Sequence, residues 1–373
     1  MVRLIYIAAI PVPLFIHPEL FIGATASGVK IHWIVIFAPL LLIYVRTIPW
    51  TIVGLAAIFV VAFLIGLSED GNWLRGVYLV QTLVPIAGYF AAIRHETAFR
   101  VIVASATLST LAILALAVSY GAPSEEASVR LAAAIPQFRS YYPFIVVTAI
   151  ACAAALLNTQ RSRAEAIALV VSIAVLVISF ALAWSRTGLV MLAIVAVAPI
   201  LMRRSAFNVA LSASIVAGAV VVVMSFSVLA DRFTPASYQR AVEQSDQNRL
   251  NYAIEAVERV VASPLTGSGF EPSRTERYGE AYAVPRQFPA HNQYIDYAVR
   301  GGLPALAMLI IIMAWVARTL WRRLFSEAHP YIVAIGAVLL AAAVGGMTQL
   351  FMVQAMTGSL VWLMIALARE PYR

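Results

Sequence analysis

Apolar runs long enough to cross a bilayer recur along this chain, and that fact limits what it can fold into. A hydrocarbon core of about 30 Å needs roughly 20 apolar residues of helix. Runs of this kind cover 4–20, 30–45, 48–67, 75–93, 99–119, 139–157, 164–183, 187–202, 207–229, 293–317, 329–345 and 349–368. The chain is 62% hydrophobic and 12% charged, whereas soluble domains are nearer half apolar and a quarter charged. The sequence therefore predicts an all-α, polytopic integral membrane protein with about 12 transmembrane helices.

The first run is broken by Pro11 and Pro13, and Arg3, the apolar stretch and Ala24-Thr25-Ala26 also have the layout of a signal peptide. An even span count favours a retained, kinked helix, since it brings both termini to one side. Arginine counting sets the orientation. With the N-terminus cytoplasmic, the inner segments hold thirteen arginines (Arg3, Arg46, Arg94, Arg100, Arg161 and Arg163 among them) against four acids, Glu96, Glu165, Glu327 and Glu370. The outer side holds thirteen basic residues against fourteen acids. The net charge of +8 is thus a topology signal, and it calls for a lipid bilayer and no nucleic acid. The expected arrangement is multi-pass, with both termini cytoplasmic.

This orientation puts the one long polar stretch, residues 230–292, outside the cytoplasm. No solenoid repeat or soluble domain is present, so residues 1–373 read as a single membrane domain with one large extracytoplasmic loop. Within the loop, 238–262 reads as a helix lying along the membrane surface. Tyr238, Val242, Leu250, Ile254, Val257, Val260 and Val261 form its apolar stripe. Glu255 and Glu258 beside Arg259 suit ordinary helix pairing. Pro264 stops the helix and Gly267-Ser268-Gly269 makes a turn.

Several residues on this side have chemistry to offer. Trp184-Ser185-Arg186-Thr187-Gly188 interrupts two apolar runs, and Arg186 reads either as a snorkelling arginine at a turn or as an anion ligand. Arg249 reads as a solvated helix charge or as a second anion ligand. His291 stands at the loop's exit, before a helix on which Asn292, Asp296 and Arg300 share a face. It reads as a structural helix-terminal histidine or as a general base, because imidazole titrates near neutral pH. Gly267 and Gly269 are candidate substrate contacts, although a lone GxG more often serves turn geometry. The one cysteine, Cys152, lies in an apolar run and reads as a packing residue. There is no Walker motif, no cluster of metal-ligand spacing and no paired-aspartate motif, so neither a metal nor a cofactor is expected.

Taken in order, Ser185-Arg186-Thr187-Gly188, then Arg249 with Tyr252, then Ser263-Pro264-Leu265-Thr266-Gly267-Ser268-Gly269-Phe270, then His291-Asn292-Gln293-Tyr294-Ile295 running into Gly301-Gly302-Leu303-Pro304, the chain resembles the O-antigen ligase and O-antigen polymerase superfamily. Arg300 stands where many relatives have an acid, and Tyr252 where tryptophan is more usual. The resemblance implies a location in a bacterial inner membrane and transfer of a glycan from undecaprenyl diphosphate to an acceptor hydroxyl at its periplasmic face, the acceptor being lipid A–core or another saccharide. It implies a metal-independent, inverting reaction in which Arg186 and Arg249 stabilise the diphosphate and His291 takes the acceptor's proton. Arg300, Asn292 and Tyr294, with the two loop glycines, are then substrate contacts. A polymerase with the same donor chemistry, a protein O-oligosaccharyltransferase and, from another class, a flippase for lipid-linked sugars are the other readings. Few interior charges and no repeated halves argue against the last.

Overall fold

The computed structural model describes residues 1–13, 15–16, 31–44, 48–70, 75–121, 135, 138–159, 162–183, 185–202, 208–218, 250–270, 291–326 and 329–371. Among these the chain is helical apart from turns and one two-residue antiparallel ladder, β1 (Phe15–Ile16) with β2 (Ile31–His32). Four helices are long and apolar enough to cross a membrane by length and composition. They lie within α3 (Trp50–Asp70), α5 (His95–Ser119), α7 (Arg163–Ala183) and α11 (Gln293–Ser326). Shorter apolar helices are α6 (Phe138–Leu157), α8 (Arg186–Met202), α9 (Asn208–Gly218), α12 (Pro330–Gly345) and α13 (Ala355–Arg369).

The first two expected spans differ from this pattern. Helix α1 (Val2–Ala9) has eight residues, about 12 Å of rise, and gives way to a turn at Pro11, which has no N–H to continue it. Residues 31–44 form β2, the single turn α2 (Ile34–Phe37) and a 3-10 segment from Pro39 to Tyr44. The expected span at 75–93 also changes character midway. Helix α4 (Arg75–Leu83) becomes a 3-10 helix over Val84–Ala91, with Pro85 at the switch. The tighter helix rises about 2 Å per residue, so the two pieces still cover roughly 30 Å.

The core is built on α6. Every residue from Phe144 to Leu156 with a hydrophobic side chain is buried, and five of them are alanines beside the buried Cys152. Lipid offers no hydrophobic drive for helix association, so close approach through small side chains supplies the packing instead. Helices α5, α7, α8 and α12 surround α6. Outward residues such as Val60, Leu64, Leu108 and Val171 are exposed, as expected of helices that are apolar all round.

The polar ties gather at the helix ends. Arg3 donates to the Ala92 carbonyl at 3.0 Å, Arg323 to the Ala368 and Glu370 carbonyls at 2.8 and 2.7 Å, and Arg369 to the Tyr89 hydroxyl. Nε2 of His95 bonds the Leu367 carbonyl at 2.8 Å, and Arg100 bridges Glu96 and Glu165 at the starts of α5 and α7. Arg3, Arg100, Arg323 and Arg369, all counted on the inner side, thus share one end of the helix packing. The starts of α8 and α11 and the end of α12 lie at the other.

Candidate active site

Helix α8 starts with its own cap: the Ser185 hydroxyl accepts from the Gly188 amide at 3.1 Å. Arg186 is the first residue of the helix. Gly188 sits so close to Pro143 and Phe180 that an added Cβ would come within 2.8 and 2.7 Å of them. Bare backbone therefore lets this turn press against α6 and α7. Thr187 Oγ1 lies 2.7 Å from Thr348 Oγ1, in the turn that follows α12.

Helix α11 starts in a related way. Oδ1 of Asn292 accepts from the amides of Tyr294 and Ile295 at 3.0 and 3.2 Å, which makes Asn292 the N-cap. The Gln293 amide donates to the Gly346 carbonyl at 2.8 Å, and the Tyr294 hydroxyl to the Ala343 carbonyl at 2.8 Å. An added Cβ at Gly346 would lie 2.2 Å from the Gln293 amide group. The N-termini of α8 and α11 therefore meet the same turn, 346–348. Their first amides are largely taken by Ser185, Asn292 and the Gly346 carbonyl, so what the two ends offer an anion is the positive pole of each helix dipole.

His291 precedes this cap with φ +49, the one non-glycine residue at positive φ among the described residues. Histidine is among the side chains enriched in that conformation. Its ring is half-buried, with its centroid 6.1 Å from that of Tyr252. Tyr252 belongs to α10, the helix described over 250–262. Tyr252, Ala256 and Val260 of α10 pack on Ile295 and Val299 of α11. Arg249 lies outside the described residues, one position before Leu250, and the side chain of Arg186 lies outside them too. Of the three residues expected to carry the chemistry, the structure gives the placement of His291 and the backbone of Arg186.

The segment after α10 docks on a break in α11. Gly301 and Gly302 have non-helical backbones there, Gly302 at φ +69 and ψ −173, a region open essentially to glycine alone. A straight helix would join the Leu303 amide to the Val299 carbonyl. Here the Leu303 amide donates to the Pro264 carbonyl, and the Val299 carbonyl accepts from the Ser268 amide, both at 2.7 Å. The loop supplies both partners that the kink removes. Gly267 and Gly302 make the approach possible, since an added Cβ would come within 2.4 Å of the Val299 oxygen and 2.6 Å of the Leu265 carbonyl respectively. The Gly267 amide itself donates to the Ser263 carbonyl at 2.8 Å, and Gly269 lies over the Ala62 carbonyl. The glycine pair, expected to touch substrate, is a backbone docking element.

Two buried ion pairs flank this junction. Arg259 binds Glu255 through Nε and Nη2 at 3.0 and 2.6 Å and reaches Ser268 Oγ at 3.5 Å. Its side chain is 2% exposed, so the helix pairing expected between Glu255 and Arg259 is an interior one. The face of α10 opposite this pair is apolar and open: Leu250, Ile254, Val257 and Val261 are each more than half exposed. Val260 alone of the expected stripe's described members packs inward. Arg300 binds both oxygens of Asp296 at 2.5 and 3.0 Å, donates to Thr82 Oγ1 at 2.8 Å and stacks over the Phe270 ring at 5.4 Å. The guanidinium expected at a substrate phosphate is engaged inside the protein, holding α11 to α4 and to the loop.

Gln293, Gly346 and Thr348 were not singled out from the sequence. Gln293 lies within the quoted His291–Ile295 motif, but nothing local marks it above its neighbours. Gly346 and Thr348 sit in an apolar run with no motif around them. Residues 148–310 match the family described as O-antigen ligase. That stretch runs from the middle of α6 past the kink of α11 and contains Arg186, Arg249 and His291. No curated protein matches the chain.

Proposed function

Because residues 148–310 belong to the O-antigen ligase family, we propose that the chain is a membrane glycosyltransferase of surface-polysaccharide assembly. It moves a glycan from undecaprenyl diphosphate to a hydroxyl of lipid A–core or of another saccharide, at the periplasmic face of the inner membrane. The observation that carries this reading is the meeting of the α8 and α11 N-termini on one turn, with Arg186 and His291 at those two termini. Glycosyl transfer from a lipid diphosphate breaks the anomeric C–O bond and leaves the diphosphate with an added negative charge. Arg186, Arg249 and the two helix ends stabilise that charge in a low-dielectric site. His291 takes the proton of the acceptor hydroxyl as its oxygen forms the new bond from the opposite face, inverting the anomeric centre without a metal ion.

The test is transfer by purified protein given a lipid-diphosphate-linked glycan and candidate acceptors. Arg186→Ala and Arg249→Ala are expected to lose about 100- to 1,000-fold in rate, and His291→Asn about 100-fold or more. Asparagine tolerates the backbone at 291, so this variant removes the imidazole without adding strain, whereas His291→Ala combines both effects. Unchanged transfer by His291→Asn would remove the general-base role. No transfer by the parent with any lipid-linked donor would remove the reading itself.

A further inference from the structure

A cavity of about 730 Å³ runs between α8, α11 and α12, with α13 closing its inner side. This is within the range of about 300–1,000 Å³ usual for small-molecule sites. Small residues make the room: Ala198 on α8, Ala317 on α11, and Gly336 and Ala337 on α12. At Gly336 an added Cβ would meet nothing within 4 Å. Among the described residues the lining carries no charge, and its side chains bearing nitrogen or oxygen are Gln293 and Trp321. From Ala343 to Val333 the cavity follows α12 for about 15 Å at the helical rise. It therefore runs from beneath the 346–348 turn toward the other ends of the helices. Leu201, Trp321 and Leu340 line it yet stay 66%, 65% and 54% exposed, so it opens sideways onto an apolar surface.

Its polar end is the informative one. Gln293 is 1% exposed and lines the cavity, and among the described residues its buried Oε1 has no hydrogen-bond partner. Leaving such a group unpaired is costly, and the amide can present either its oxygen or its N–H₂ to a ligand. Gln293 is also the residue whose backbone amide ties α11 to Gly346, two positions after His291. The cavity and the candidate active site therefore share a residue. A ligand anchored at the site with an apolar chain passes Gln293 as it enters the cavity.

We propose that this cavity seats the hydrocarbon chain of the lipid-linked donor, with the head group at the 346–348 turn and the chain running along α12 between α8 and α11. The proposal rests on the function proposed above, and it adds where the lipid lies and how it enters, laterally from the bilayer. Gln293 meets the first polar atoms of the head, and the small residues of α8, α11 and α12 set the width available to the chain.

The experiment uses the full chain in phosphatidylcholine nanodiscs with a polyprenyl phosphate carrying a diazirine in its chain. Illumination is expected to label residues of α8, α11 and α12. Unlabelled polyprenyl phosphate should displace the probe, and a large excess of phosphatidylcholine should not. Gly336→Phe projects into the open space and is expected to weaken probe binding at least about tenfold, the equivalent of roughly two buried methylenes. Gly336→Leu serves the same purpose if the larger ring prevents folding. Labelling elsewhere, displacement by phosphatidylcholine, or undiminished binding in a folded Gly336 variant would each overturn the proposal. Probe binding needs no sugar transfer, so binding in the cavity without transfer refutes the proposed function alone. Transfer with an unlabelled cavity refutes this proposal alone.

Discussion

Arg300 and Asp296 are four positions apart on α11, and both are buried to within a few per cent. Among the described residues Asp296 has its charge matched by one guanidinium, so removing that partner strands a carboxylate in the interior. Arg300→Ala is therefore expected to destabilise the protein by about 3–5 kcal/mol, whereas Arg300→Met with Asp296→Leu recovers most of the loss, because apolar pairs of similar volume replace buried ion pairs at little cost. Thermal unfolding in detergent checks this, and an Arg300→Ala protein that melts with the parent would overturn it. The four-residue spacing was visible in the sequence, and with it the shared face. Its burial was not, because Thr82 and Phe270, which close over the guanidinium, come from distant parts of the chain. A charge that reads from sequence as a ligand for phosphate is here a clamp between helices. His291 shows the reverse: its type and place before a helix were legible, while its left-handed backbone depends on how the chain enters α11.

At the scale of elements, α10 has two unlike faces. Tyr252, Glu255, Ala256 and Arg259 turn to the protein, while Leu250, Ile254, Val257 and Val261 turn away from it. Sequence periodicity identifies an apolar stripe and assigns it to burial, but burial within protein and burial within lipid give the same pattern. The exposed stripe is expected to lie in the bilayer. Spin labels on cysteines introduced at Ile254 and Val257 should be more accessible to oxygen than to a water-soluble nickel chelate, and a label at Glu258 less so. The native Cys152 is buried and does not compete for label. Equal nickel access at Ile254 and Val257 would place the stripe in water. The kink of α11 is a second element-scale feature. Gly301-Gly302 and Pro304 announce a break, yet only the docked loop explains why the break is tolerated, since it supplies partners to the Val299 carbonyl and Leu303 amide.

Across the whole molecule, residues that the arginine count puts inside share one end of the helix packing, and the candidate active site forms at the other. Cysteines introduced at Thr187 and Thr348, both near the 346–348 turn, are expected to react with a membrane-impermeant maleimide added outside cells. One at Arg94, exposed at the start of α5, should react only after lysis. Labelling of Arg94→Cys in intact cells would reverse the proposed orientation. The sequence by itself determined the membrane-spanning character, the helical class and the i,i+4 pairings. All of these depend on neighbours along the chain and on the period of a helix. Tertiary structure alone decided that α8 and α11 present their N-termini to one turn, through contacts such as Thr187 with Thr348, 161 positions apart. It also decided that the glycines of the loop dock on a kink, and that small residues on three helices leave a cavity beside Gln293. Those outcomes depend on which faces meet when the helices pack, and chain periodicity places no condition on that.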